Sequence, residues 1–409
     1  MKRIRLSLLL MLCLVDSMMA QKYTCHIEGT TTDSETRELY LIESGADVRS
    51  QANVISIPVV DGKFSYDLRN YTIGYYELIP VNQYENGTWR SAYFFSENQK
   101  VTFTFGTIRD KVVAVGTGKE TKMMQQCNAE IDAVYNPVLD ALNQKTDSID
   151  NILKSEIKDM DDEQRRAYVE EFYSEHSTNP HSSAYKQVNK EYEDALFKKR
   201  TATIKWLDEH PCLYGLADIR LNLASSRAKS NPTTPYQLNS YKNTYSTLYG
   251  GHPYHEDIKN SLSAIDLIPG NKYIDYDVCN AEGKTVKLSS LYTGKIIYID
   301  LWASWCGPCR RHAMELIPLY EKYKGKGFQV IAIAREQKAE NMHKAIKQDG
   351  YPWLCLLELN DMNQIWWKNG VPNAGGGGFL IDEDGTILAV YPDAEETEMY
   401  LKVRLDNTH

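Results

Sequence analysis

Tyr298-Ile299-Asp300-Leu301-Trp302-Ala303-Ser304-Trp305-Cys306-Gly307-Pro308-Cys309 sets an apolar run directly ahead of two cysteines separated by Gly-Pro. The run reads as a strand. Pro308 marks the first turn of a helix, where its missing N–H costs nothing and its fixed φ favours helix entry. Cys306 then stands at the helix N-terminus, where unpaired backbone N–H groups and the helix dipole stabilise a thiolate. Cys309, one turn later, is expected to be the buried resolving thiol. Two sulfurs this close, one of them ionised near neutral pH, form a redox-active dithiol able to attack a disulfide.

Other uses of the two cysteines fit less well. A zinc site would want a second such pair or histidines at ligand spacing, and the chain has neither. Covalent haem attachment would need His after the second cysteine, where Arg310 stands. A purely structural staple is the bland alternative, but a Gly-Pro spacer seldom serves only that purpose. No metal site and no cofactor are expected.

Working outward, Lys295 to Trp302 reads as a mostly apolar strand, Pro308 to Lys324 as a helix, Phe328 to Ala334 as a strand, Ala339 to Gln348 as a helix and Leu354 to Leu357 as a short strand. Phe379 to Ile381 and Thr386 to Val390 form a hairpin, and Ala394 to Arg404 closes as an amphipathic helix. Alternating strands and helices predict a central sheet covered by helices on both faces.

Asp300 to Cys309, with Leu288-Ser289-Ser290-Leu291 and Gly294-Lys295 before it and Phe379-Leu380-Ile381-Asp382 and Asp384-Gly385 after it, resemble the TlpA/ResA group of exported bacterial thioredoxin-like proteins. The resemblance covers about the last third of the chain. It implies a thioredoxin fold and thiol–disulfide exchange on the outer side of a bacterial inner membrane, with Cys306 and Cys309 as the redox-active disulfide. Asp300, six residues before Cys306, matches the buried acid of thioredoxins. A desolvated carboxylate there would have a raised pKa and would take the proton from Cys309, the alternative being a local hydrogen-bonding role. Trp305, Gly307, Pro308, Pro372 and Gly376 are the substrate-facing positions the resemblance implies.

The chain departs from that group in two places. Met314 occupies the position, five residues beyond the second cysteine, where the group has a proline, and the nearest proline is Pro318. Opposite the dithiol the group has a cis-proline three residues before the Phe-Leu-Ile-Asp strand, and Gly376 holds that spacing here. Pro372 lies seven residues before Phe379, ahead of Gly375-Gly376-Gly377-Gly378. A widened groove for an unusual partner and a loosened ledge with weakened activity are both consistent with those glycines. His312 is expected on a solvated helix face. Trp366 and Trp367 are expected to pack the fold.

Lys2-Arg3-Ile4-Arg5, the apolar stretch Leu6 to Val15 and Met18-Met19-Ala20 before Gln21 read as a secretory signal over 1–20. The apolar run is too short to span a bilayer. A periplasmic protein without a lipid anchor is expected. Of eight cysteines, Cys13 would leave with the signal, and Cys25, Cys127, Cys212, Cys279 and Cys355 read mostly as buried small hydrophobes, with a Cys279–Cys355 bridge conceivable. A net charge of −9 without a basic stripe argues against nucleic acid as a partner.

The expected architecture is multidomain: an N-terminal all-β sandwich, a helical linker domain and a C-terminal α/β thioredoxin fold. Residues 21–117 carry short alternating runs (Glu38 to Ile42, Lys63 to Leu68, Tyr75 to Pro80, Lys100 to Phe105), with turns at Asp61-Gly62 and Asn86-Gly87. This part also resembles the small β domain found ahead of thioredoxin-like domains in exported Bacteroidetes proteins. Residues 118–264 turn helical, with Met124, Cys127 and Ile131, then Val134, Val138 and Leu142, at helical spacing and with Asn136-Pro137 as a kink. Further helices are expected over Asp150 to Tyr173 and Ala184 to Leu207. Residues 265–409 form the redox domain.

Two classes of function follow. In the first, the chain reduces disulfides of exported proteins and is recharged by a membrane thiol donor, the Gly-Pro spacer resembling that of reducing thioredoxins. In the second, a weakly active thioredoxin-like domain serves as a protein-binding module.

Overall fold

The computed structural model describes residues 22–49, 53–110, 112–225, 230–279, 284–291, 294–372 and 375–406. The secretory signal and Cys13 lie outside these residues. By contacts the chain divides into two compact units, one of Met1–Gly118, Ala217–Ser230 and Gly251–His409, the other of Lys119–Leu216 and Asn231–Gly250. The helical stretch 118–264 is thus shared between the two.

The first unit opens with eight strands: β1 (Tyr23–Thr31), β2 (Glu38–Glu43), β3 (Ile55–Pro58), β4 (Lys63–Asn70), β5 (Tyr75–Pro80), β6 (Ala92–Phe95), β7 (Gln99–Phe105) and β8 (Val113–Gly116). They make two four-stranded sheets, β4-β1-β7-β8 and β3-β2-β5-β6. Alternation decides which residues point inward. In β7, Gln99, Val101, Phe103 and Phe105 are buried and the residues between them exposed. Cys25 and Ile27 of β1, Leu39 and Leu41 of β2, Phe94 of β6 and Phe103 of β7 all enter one core shared by both sheets. Asp61-Gly62 turns between β3 and β4 with both residues at positive φ, 49° and 69°. Only the single bridge Val60↔Lys63 flanks that turn, because its two strands belong to different sheets. Asn86-Gly87 joins no strands directly. It ends the short helix Val81–Glu85, with the Gly87 N–H donating to Tyr84 O, and Gly87 has φ 76°.

The same unit closes with a seven-stranded sheet in the order β10-β9-β13-β12-β11-β14-β15. Its strands are β9 (Asp277–Cys279), β10 (Thr285–Lys287), β11 (Ile296–Trp302), β12 (Phe328–Glu336), β13 (Leu354–Leu359), β14 (Gly377–Ile381) and β15 (Ile387–Val390). β11, β12 and β13 run parallel, and the remaining pairings are antiparallel. β11 is central and every residue in it is buried, which explains its near-continuous apolar character. Tyr298 and Trp302 share one core with residues of the helices Gly307–Tyr323, Ala339–Asp349 and Ala394–Leu401. Ile297, Ile299 and Leu301 join another with Ala264, Ile365 and Trp366. Sequence reading missed β9 and β10, which are three residues each and carry no alternating run long enough to register.

The second unit is helical. Lys119–Glu156 continues through Pro137, and it ends before the separate helix Asp162–Tyr173, which Asp161 starts with a capping box. Asn179 caps Pro180–Glu209. Contacts such as Lys199 with Asp132 at 2.6 Å and Trp206 with Glu130 at 2.7 Å set Lys119–Glu156 and Pro180–Glu209 antiparallel. Val134 and Val138, expected in the apolar stripe, are exposed at 63% and 49%. The buried positions after Cys127 are Leu139, Leu142, Ile149 and Leu153, with half-buried Ile131 and Tyr135 carrying the stripe between Cys127 and Leu139 at four-residue steps.

Candidate active site

Gly307 to Tyr323 begins at Cys306, whose backbone is extended and whose sulfur accepts the Cys309 N–H at 3.3 Å. The two cysteines are joined as a disulfide with Cα atoms 5.4 Å apart. Cys306 is 9% exposed and Cys309 4%. Trp305, Gly307 and Pro308 around them are exposed. Only Cys306 lies at the edge of this buried pair with exposed neighbours on both sides, so it is the sulfur within reach of a partner.

The turn ahead of Cys306 is pinned from two directions. Ser304 donates through N (2.6 Å) and Oγ (3.0 Å) to the Glu336 carboxylate at the end of β12. Arg310 forms a two-pronged pair with Asp349 at 2.6 Å on each arm and donates to Ser304 O at 3.3 Å. Burial pushes Glu336 above the ordinary carboxylate range despite the Ser304 bonds. Neither Glu336 nor Asp349 stood out in the sequence, since each acquires its role only by lying across a sheet end or beside a helix start.

Asp300 occupies the middle of β11 on the face of Tyr298 and Trp302, the face on which the dithiol helix packs. It is 1% exposed, and its Oδ2 has no hydrogen-bond partner among the described residues. Desolvation pushes it up to about 7, where it exchanges a proton near neutral pH. Asp300, Ala332 and Cys355 stand side by side on β11, β12 and β13. The Cys355 thiol is pushed up to about 12, by burial first and the Asp300 charge second.

The loop opposite the dithiol is built from glycine for lack of room. A Cβ on Gly375 would lie 2.7 Å from the Cys306 sulfur. One on Gly376 would collide with the Leu301 carbonyl and lie 2.9 Å from the Cys309 sulfur. Gly376 therefore lies against the disulfide, as its spacing suggested, and Gly375 does so too, which sequence reading did not single out. Pro372 serves the loop in a different way, since its carbonyl accepts from Arg335 Nη1 at 3.0 Å. No cis peptide bond occurs among the described residues. Asn373 and Ala374 lie outside them. Beyond the glycines, Gly376, Phe379, Val371, Ala264, Leu267 and Leu223 line an apolar cavity of about 420 Å³.

His312 departs from expectation. It is half-buried, its Nε2 is 2.8 Å from the Tyr298 hydroxyl, and its ring stacks on Tyr391 at 5.0 Å. Burial pushes its pKa down, keeping it neutral near pH 7. Trp302 is wholly buried, as is Trp366, whereas Trp305 is 40% exposed. Cys25, Cys127, Cys212, Cys279 and Cys355 are free thiols, so Cys279 and Cys355 are not bridged, although Cys279 pairs with Leu357 in the neighbouring strand. Among the described residues no group of His, Cys, Asp or Glu is arranged to hold a metal.

Residues 266–404 match the redoxin family. Over 139 residues the chain is 29% identical to the thiol-disulfide oxidoreductase ResA of Bacillus thuringiensis subsp. konkukian, which covers 32% of this chain and 76% of that protein. It is similar in structure to the thioredoxin domain of a thiol-disulfide oxidoreductase from Bacteroides vulgatus (23% identity, 34% of this chain and 99% of that one, TM-score 0.31). It is also similar to a thiol-disulfide oxidoreductase from Bacteroides fragilis (24% identity, 33% and 100%, TM-score 0.30). The C-terminal domain makes this chain a thioredoxin-like thiol–disulfide oxidoreductase. Within that class the domain is similar to the ResA thiol-disulfide oxidoreductases.

Proposed function

We propose that this oxidoreductase acts in the periplasm, after export, by reducing disulfides of client proteins through Cys306 and Cys309. The observation that carries the reading is the Cys306–Cys309 pair, closed at a helix N-terminus on the sheet face that also bears the buried Asp300. In the reduced state the Cys306 thiolate attacks one sulfur of a client disulfide; that bond breaks, and the departing client sulfur takes up a proton. Cys309 then gives its proton to Asp300 and attacks the Cys306 sulfur. The internal disulfide closes, the second client thiol leaves, and two electrons have passed from the dithiol to the client.

Trp305, Gly307 and Pro308 would border the client strand, and Gly376 would let its backbone approach closely. Pro372 supports the loop through its carbonyl. A membrane thiol donor would return two electrons to the disulfide. The basic and apolar start of the sequence supports export, and no described helix is long and apolar enough to cross a membrane.

The reading is tested by the reduction potential of the pair in the mature protein, read by thiol alkylation and mass spectrometry across dithiol/disulfide buffers. A potential near about −270 mV is expected, whereas one near about −120 mV would make the protein an oxidant. A pair that does not cycle would leave the domain a binding module.

A further inference from the structure

The end of β12 holds both walls of the redox site. Glu336, its last residue, binds Ser304 ahead of Cys306, and Arg335, one residue earlier, holds the opposite loop. All three guanidinium nitrogens of Arg335 are engaged. Nε and Nη2 donate to the Asp361 carboxylate at 2.7 and 2.6 Å, and Nη1 donates to Pro372 O at 3.0 Å and to the Asp47 carboxylate at 3.1 Å. The guanidinium also lies over the Trp366 ring at 5.4 Å, and Trp366 O accepts the Val371 N–H at 3.0 Å. Val371 in turn packs on the glycine run, since a Cβ on Gly377 would come 3.5 Å from its Cγ1. Gly376, next in line, lies against the Cys309 sulfur. An unbroken set of contacts therefore runs from Arg335 to the dithiol.

Asp47 brings the N-terminal β domain into this set. It follows β2 and is buried. Besides Arg335, its carboxylate accepts Nε and Nη2 of Arg49 at 2.9 and 2.8 Å. The Arg49 guanidinium lies 4.8 Å from the centre of the Trp305 ring, on the residue that precedes Cys306. One carboxylate thus braces Arg335 on the loop side of the dithiol and Arg49 on the Trp305 side.

We infer that Asp47 and Arg335 are positioning residues for exchange with polypeptide disulfides, so that the β domain sets the width of the client site. Without Asp47 the Arg335 guanidinium is held from one edge only, by Asp361, and its Nη1 loses the fixed place from which it holds the Pro372 carbonyl. A client backbone that lies along Gly376 meets a displaced ledge, whereas a small disulfide that meets only the Cys306 sulfur does not. The inference rests on the exchange chemistry proposed above and adds to it a dependence on a second domain.

The test uses the full-length chain, reduced with dithiothreitol, freed of excess and held where circular dichroism shows each variant folded. Two uncharged substrates share a leaving group. One is a peptide whose single cysteine, flanked by Gln, forms a mixed disulfide with 2-mercaptoethanol; the other is bis(2-hydroxyethyl) disulfide, which has no polypeptide. In each case the Cys306 thiolate attacks one sulfur and the other leaves. Cys309 then attacks the Cys306 sulfur and closes the internal disulfide, so two electrons pass from the dithiol to the substrate and both products leave as thiols. Rates are read by alkylation and mass spectrometry.

The ratio of peptide rate to small-disulfide rate is expected to fall by about tenfold in Asp47→Ala and Arg335→Gln, with the small-disulfide rate within about twofold of wild type. Asp47→Asn, which keeps one oxygen acceptor, should restore part of the ratio. Arg335→Lys keeps the charge without the planar fork and should leave the ratio low. Where the Ala or Gln variant does not fold, Asp47→Asn and Arg335→Lys make the same comparison. Asp67→Ala, elsewhere in the β domain, should match wild type. A ratio unmoved by the Asp47 and Arg335 variants, or an equal fall in Asp67→Ala, would overturn the inference. So would an equal loss on both substrates, which marks a merely structural tie. Failure of the wild-type chain to exchange with either substrate would instead overturn the dithiol reading itself.

Discussion

At the scale of single residues, Asp300 is a conflict between stability and chemistry. Its carboxyl is pushed up to about 7 by burial, from an ordinary value of 3.8. The folded state thus holds a proton that the unfolded chain releases at lower pH. The stability this contributes is full below about pH 4 and is lost as pH rises through about 7. Asp300→Asn removes the cost of burying a charge. The variant is expected to exceed the wild type in stability at pH 8 by about 2–4 kcal/mol and to match it near pH 4, by urea denaturation. Its resolving step should slow by roughly tenfold to a hundredfold, read as accumulation of the mixed disulfide on Cys306. A variant less stable than wild type at pH 8 would refute the account. His312 makes a related point: its helix position reads as surface, yet Tyr298 and Tyr391 enclose it.

Among the elements, the strand–turn–helix of the dithiol is shaped by the loop facing it. The glycines there are set by contact, since Gly375 and Gly376 lie against the two sulfurs and the Leu301 carbonyl. Gly376→Ala forces a methyl group against backbone, and overpacking of that kind costs about 1–3 kcal/mol. It should also slow exchange, because relief requires β14 or the Cys309 sulfur to shift. Gly325→Ala, where nothing lies within 4 Å of the added carbon, should leave both stability and exchange near wild type. Equal behaviour of the two variants in thermal denaturation and peptide reduction would contradict the contact argument.

Over the whole molecule, Asp47 and Arg335 tie the β domain to the redox domain through a buried ion pair with side chains 3% and 7% exposed. Removing one member of such a pair strands a charge. Asp47→Ala is expected to cost about 3 kcal/mol, moderated by the Asp361 that Arg335 retains. It should also change Trp305 fluorescence as Arg49 loses its anchor. Asp67→Ala, which removes one of the two exposed carboxylate partners of His26, should change stability by less than about 1 kcal/mol. A urea midpoint that moves equally in both would remove the case for a buried tie.

The Cys-Gly-Pro-Cys spacing, the apolar β11 and the alternation of strands and helices around it are local patterns, and local physics is enough to read them: period-two burial, helix entry at proline and thiolate stabilisation at a helix start. The strand runs of the β domain were legible for the same reason. Val134 and Val138 were misread because a helix stripe drifts, and only its neighbour Pro180–Glu209 decides which residues it covers. Glu336, Asp349, Gly375, Asp47 and Arg49 carry no signal in their own surroundings. Each becomes part of the redox site through contacts across 32 to 288 residues of chain, as between Ser304 and Glu336 or Arg335 and Asp47. The sequence by itself determined the dithiol, its helix and the sheet behind it. Tertiary structure alone decided what surrounds the sulfurs, because hydrogen bonds, close approach and charge pairing depend on distance in space.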